Sequence, residues 1–308
     1  MADRSEGLLD PQIKARIHDL CRLSAPPQVT LELMRLLQDE HTTPEQLQNL
    51  VEQDPALSAK VISLGNSSYY GLRTPVNTIA RAIVVIGFRE LRFLALGLGL
   101  AESFDLRQAP KNFDGQALWL HSLSVAWVAN EAAKASNGLV VPGEAILAGL
   151  LHNIGQIVMV TKFSDQYQLL VQAVEAGQTY LEAEAGLGFG HQLLGALLAR
   201  NWAMPQYIQD IILCHHRPAL TPEASLTHMG VIHLALELVD RTEYRLGYER
   251  PPSDESAYWQ AWPRLERPEK EKLLEKALQT LPQMAPAWLL IMAESAPSRG
   301  GQGAGRQP

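Results

Sequence analysis

The chain has 308 residues, with 33 acidic against 26 basic side chains and a formal net charge of -7. That balance, without a basic block or basic-aromatic stripe, argues against a sequence-independent grip on phosphate backbones. Two cysteines, Cys21 and Cys214, in no metal-like spacing exclude a disulfide scaffold, and 46% hydrophobic residues suffice for a real core.

In chain order the hydrophobic periodicity is helical almost throughout, and no run of strict alternation stands out. Met1 to Asp10 is polar and acidic, unlike a signal peptide. Val29 to Gln38 carries an apolar stripe at Val29, Leu33, Leu36 and Leu37. Thr43-Pro44 and Asp54-Pro55 are helix starts, each a capping side chain followed by a proline that needs no N–H donor partner. Gly65 to Gly71 breaks the pattern. Asn77 is the expected cap of the next helix, Gly87 its left-handed stop, and Phe88 to Phe104 the helix after it.

The polar stretch from Asp105 to Gly115 is the expected lobe boundary. Beyond it, Ala117 to Ser136 reads as a helix, Pro142 starts the helix that carries His152, and Asp165 to Ala176 follows. Thr179 to Glu182 is a capping box. His191 opens the helix to Trp202, Pro205 starts one ending at His215-His216, and Ser225 to Tyr244 is another. Pro268 to Leu281 and Ala285 to Ala296 complete the body, before a Gly-, Gln- and Arg-rich tail expected to be disordered. The apolar run from Ala145 to Val160 is interrupted by His152, Asn153 and Gln156, so no membrane helix is expected and the cytoplasm is the expected location.

Several strings together resemble one family. Gln53-Asp54-Pro55-Ala56-Leu57, Gly65 to Gly71, and Ile79 to Gly87 with Arg89 and Arg92 resemble the first half of an HDOD domain. Trp119-Leu120-His121-Ser122, Leu150-Leu151-His152-Asn153-Ile154-Gly155, His191 with Gly195 to Leu198 and Trp202, and His215-His216 resemble the second. The resemblance covers roughly residues 20 to 245. It implies an all-α fold; with the helices read above, the expected organisation is an N-terminal helical lobe at 10–105 packed on an HD-like helical lobe at 112–296, and a tail at 297–308. The second lobe is then similar to HD phosphohydrolases, including cyclic-dinucleotide phosphodiesterases of the HD-GYP type. HDOD members are regarded as non-enzymatic relatives, which implies a bacterial signalling or regulatory role and no defined ligand.

The site residues carried over by this resemblance are His121, His152, Asn153, His191, His215 and His216. In the HD pattern an aspartate follows the central histidine as the anionic ligand of a divalent metal, which polarises phosphate and activates water. Asn153 supplies only a neutral carbonyl. The missing charge is worth about 4 kcal/mol for a unit pair 4 Å apart at an effective dielectric of 20. The late-helix aspartate aligns with Leu236, although Glu237 and Asp240 lie on one face with His233. Three readings follow: a buried polar cluster without cofactor, a divalent metal held without turnover, or a metal-dependent phosphohydrolase of relaxed ligand set. The first is the expectation, with no catalytic residue, no cofactor, and a signalling protein or a nucleotide as partner. The groove between the lobes is the expected contact surface. Arg81, Arg89 and Arg92 are an alternative nucleic-acid face. Cys214 is expected to pack as a small apolar group.

Overall fold

The computed structural model describes residues 11–20, 27–39, 41–67, 70–102, 109–136 and 138–246, with isolated helical positions at 272, 275, 279 and 281. The helices expected over 268–281 and 285–296 therefore lie outside the described residues except at those positions, and so does the tail. Among the described residues there is no strand, and the all-α architecture holds. The helices are α1 (Pro11–Leu20), α2 (Gln28–Gln38), α3 (Pro44–Glu52), α4 (Pro55–Gly65), α5 (Ile79–Ile86), α6 (Phe88–Glu102), α7 (Gly115–Ala135), α8 (Pro142–Leu151), α9 (Ile154–Lys162), α10 (Ser164–Glu175), α11 (Tyr180–Gly186), α12 (His191–Asn201), α13 (Gln206–Cys214) and α14 (Leu226–Val239).

Local chemistry sets most of these boundaries. Thr43 and Gln46 form a reciprocal capping box at α3, and the Asp54 carboxylate accepts from the Ala56 and Leu57 amides at α4. The α5 cap is Thr78 rather than Asn77: the Thr78 hydroxyl accepts from the Arg81 amide. Gly87 ends that helix with φ 94°, a conformation that costs a side-chain-bearing residue. In the broken segment after α4, the Asn66 amide clamps Val76 from both sides. Its Nδ2 donates to the Val76 carbonyl at 2.7 Å, and its Oδ1 accepts from the Val76 amide at 2.6 Å.

In the second half α7 packs along α8 and α14, while α12 is sandwiched between α9 and α13. Pro142 does start the helix that carries His152, which closes α8, and Asn153 then precedes a further short helix, α9. Gly155, in the first turn of α9, lies at a close crossing: a Cβ there would overlap the His191 carbonyl oxygen and lie 2.7 Å from the Gly195 amide nitrogen, so glycine lets α9 and α12 touch backbone to backbone. Residues 142–162 are together apolar and long enough to cross a membrane, but 94% of their most apolar 18-residue window is buried inside the fold.

Helix α1, placed with the N-terminal lobe by its position in the sequence, docks on the second half instead. The Arg16 guanidinium lies 4.6 Å from the Phe163 ring centre and donates to both Asp165 oxygens at 2.9 and 3.0 Å. Those hydrogen bonds hold the Asp165 carboxyl below its ordinary 3.8, at about 2. The sign follows: the pair contributes in full above the free carboxyl value and loses its contribution as pH falls from 3.8 toward 2. Hydrogen exchange of the α1 amides is therefore expected to accelerate across that interval in the native sequence, beyond any change seen in Arg16→Gln. Equal acceleration in both would remove the pair as the anchor.

Candidate functional site

Helix ends build the site. His152 closes α8, Asn153 precedes α9, His191 opens α12, and His215-His216 follow α13, while His121 comes from the middle of α7. The last carbonyls of a helix have no partner within it. At two of these ends the histidine ring supplies one: His152 Nδ1 donates to the Gly149 carbonyl at 2.7 Å and His215 Nδ1 to the Ile212 carbonyl at 2.8 Å. His121 Nδ1 donates likewise to the Tyr244 carbonyl at 2.9 Å. A carbonyl acceptor at Nδ1 requires that nitrogen to carry a proton, which fixes how each ring is turned.

At the start of α12 the opposite problem, free amides, is met by Glu184 on α11. Its Oε1 accepts from the His191 amide at 2.9 Å and from His191 Nδ1 at 2.7 Å. Glu184 is only 3% exposed, and its Oε2 is buried without a hydrogen-bond partner. Sequence reading passed over this residue. Its partner lies seven positions on across a glycine-rich turn, and a lone glutamate in a helical stretch looks like a solvated surface group.

The five histidine rings form a continuous chain. Centre-to-centre distances are 5.3 Å from His121 to His152, 5.3 Å from His152 to His215, 5.3 Å from His215 to His191, 5.1 Å from His191 to His216 and 4.2 Å from His215 to His216. His191, His215 and His216 each bring a ring nitrogen within 4.8 Å of the other two. All five rings are at most 8% exposed. Asn153 is 3% exposed, and its Oδ1 is buried with no hydrogen-bond partner. On α14, His233 Nε2 lies 3.3 Å from Glu237 on its own helix, and Leu236 is fully buried.

The carboxylate-bridged metal pair of HD hydrolases does not fit these residues. Position 153 offers an amide, position 236 a hydrocarbon, and one oxygen of Glu184 is held by His191. The other candidates resolve as follows. Burial, then the nearby Asp210, pushes the Cys214 thiol up, which makes it a poor nucleophile. Arg92 is half-buried and caps the end of α2, donating to the Leu36 and Asp39 carbonyls. Arg81 is exposed, and the Arg89 side chain lies outside the described residues.

Two cavities are relevant to binding, the first at the site and the second away from it. One of about 360 Å³ reaches His216 and Glu184 and is lined also by Cys214 and Arg217. The other, about 450 Å³, lies between the lobes and is lined by Leu37 and Arg92 on one side and Trp127, Glu131, Lys134 and Ile146 on the other.

With this geometry in view, comparison with known proteins is decisive on kinship. Residues 23–218, more than half of the chain, match the HDOD domain. The chain belongs to the HDOD family. This HDOD protein is 24% identical over 275 residues to an uncharacterized protein of Treponema pallidum (strain Nichols), covering 89% of the present chain and 51% of the relative. It thus spans about half the length of that curated relative. Among solved structures it is similar to an HDOD domain protein of unknown function from Geobacter sulfurreducens, with a TM-score of 0.71, 22% identity and coverage of 90% and 98% of the two chains. It is also similar to a Shewanella amazonensis protein whose phosphohydrolase designation is provisional, with a TM-score of 0.65, 25% identity and coverage of 92% and 98%. What is shared with the Geobacter protein is the fold.

Proposed function

We propose that this HDOD protein is a non-catalytic regulatory module that acts by binding, with the groove between its lobes as the contact surface for a signalling protein or a nucleotide. The carrying observation is Asn153. The residue after the central histidine is an amide whose oxygen is buried without a donor, where hydrolysis needs an anionic ligand. The interlobe cavity combines aromatic and aliphatic walls with a few charged groups, the usual make-up of a binding cleft.

Purified protein supplied with Mn, Fe or Mg is expected to leave cyclic dinucleotides and simple phosphoesters uncleaved. Turnover that disappears in His152→Ala would falsify this reading. One observation favours the second reading, a phosphohydrolase of relaxed ligand set: the cavity beside His216 also carries Arg217, a residue suited to a phosphate group. The same assay separates the two.

A further inference from the structure

We infer that the cavity between the lobes takes a nucleoside monophosphate whose base carries an amino group, with Arg92 on the phosphate, Trp127 against the base and Asn130 accepting from the amine. It rests on the interlobe groove being the contact surface, and it narrows the occupant to a small molecule.

The carrying feature is Arg92. Its Nη2 donates to the Leu36 and Asp39 carbonyls, its Cζ lies 5.4 Å from the Phe88 ring centre, and its Nε is buried with no hydrogen-bond partner. Nη1 donates to none of the described residues, and no carboxylate among them pairs with the guanidinium. Burial pulls Arg92 down from its ordinary value, opposed only by Asp39, which is exposed. A guanidinium keeps its charge at any ordinary pH, so a half-buried one without a counter-ion carries an uncompensated desolvation cost. An anion in the cavity that Arg92 lines offsets that cost. Lys134 on the opposite wall is a second cation and pairs with Glu131, so the three charges sum to one positive.

The remaining wall suits a planar ring that bears N–H donors. Trp127 is half-buried, and its ring meets that of Phe93 at 6.3 Å and 55°, which holds its plane. Bases of any kind stack on such a face. Asn130 is 8% exposed and lines the cavity. Its Nδ2 donates to Glu131 Oε1 at 3.0 Å, which leaves Oδ1 as an acceptor with no donor among the described residues. A buried acceptor left unmade is costly, and the exocyclic amine of adenine, guanine or cytosine supplies the missing donor. The volume of about 450 Å³ falls in the roughly 300–1,000 Å³ range of small-molecule sites. Leu37, Arg92 and Phe93 come from the first lobe, and Trp127, Asn130 and Lys134 from the second, so a bound nucleotide ties the lobes together.

The test is calorimetric titration of the full-length protein with AMP, GMP and CMP, at low salt and without added metal. At least one is expected to bind at one equivalent per chain, with a Kd of about 1–100 µM. Its nucleoside, and its analogue without the amine, should each bind about 10-fold more weakly or worse. Raising the salt should weaken the nucleotide and spare the nucleoside. Arg92→Gln should weaken the nucleotide about 10-fold and leave the nucleoside unchanged, and Asn130→Ala should erase the preference for the amine. Because Arg92 also caps α2, Lys134→Gln at an exposed position is the second variant, with a loss of about 3-fold for the nucleotide alone. No binding of any of the three below about 1 mM overturns the site, and that result depends on no variant folding. Equal affinity for nucleotide and nucleoside, or loss of binding in Arg217→Gln but not in Arg92→Gln, overturns it equally. In protein that leaves phosphoesters uncleaved, each of these failures strikes the ligand and spares the regulatory reading, whereas cleavage strikes that reading itself.

Discussion

Gly155→Ala is expected to cost about 3 kcal/mol or more, a large share of the roughly 5–15 kcal/mol that holds an ordinary domain folded. The added methyl group would overlap the His191 carbonyl oxygen and lie 2.7 Å from the Gly195 amide nitrogen. Both are main-chain atoms of α12, so no flexible side chain can yield, and α9 and α12 must part. Parting them displaces the amide and ring that Glu184 holds, so the ring cluster loosens together with the core. Gly186→Ala is the matched control, because nothing lies within 4 Å of its Cβ position at the end of α11. It should leave stability unchanged or raise it by up to about 1 kcal/mol. Urea denaturation of both variants checks the contrast, and similar midpoints would refute the close crossing.

Asn153→Asp should make stability conditional on metal. The native amide is 3% exposed and its Oδ1 has no donor, so a carboxylate there is a buried charge without a partner. Without metal the expected loss is about 2–4 kcal/mol. A divalent ion that binds only the folded state recovers this through linkage, by about 4.1 kcal/mol at a free concentration 1,000 times Kd. Thermal unfolding with and without Mn should therefore show a far larger metal response in the variant than in the native sequence. A variant as stable as the native protein in chelator would mean that position 153 reaches solvent or a donor, contrary to the structure.

Local chemistry explains why much of the fold was legible in the sequence. Thr43-Pro44, Asp54-Pro55, Gly87 and the Thr179 capping box each act within a few residues, and all appear as expected. The shift of a cap from Asn77 to Thr78 is a choice between two adjacent capping side chains, decided by which one reaches the Arg81 amide. The close crossing at Gly155 was illegible for a different reason: the α12 backbone that it meets lies about forty positions away in sequence. The convergence of the five rings came from family resemblance, since histidines separated by up to 95 positions carry no spacing signal of their own. Glu184 was missed because its burial is a tertiary fact.

The rings at 152 and 215 are aimed by peptide carbonyls, groups that every residue type possesses. Drift of the side chain at 212 cannot delete its anchor, whereas position 149 is held to glycine because a Cβ there would lie 2.5 Å from the Ala126 Cα. The aim of an imidazole there is thus insulated from mutation, while the anionic partners around it remain free to come and go one codon at a time. The ring at 191 depends instead on a replaceable neighbour, Glu184, and that glutamate is a dial by which the cluster's chemistry can be retuned without rebuilding the scaffold.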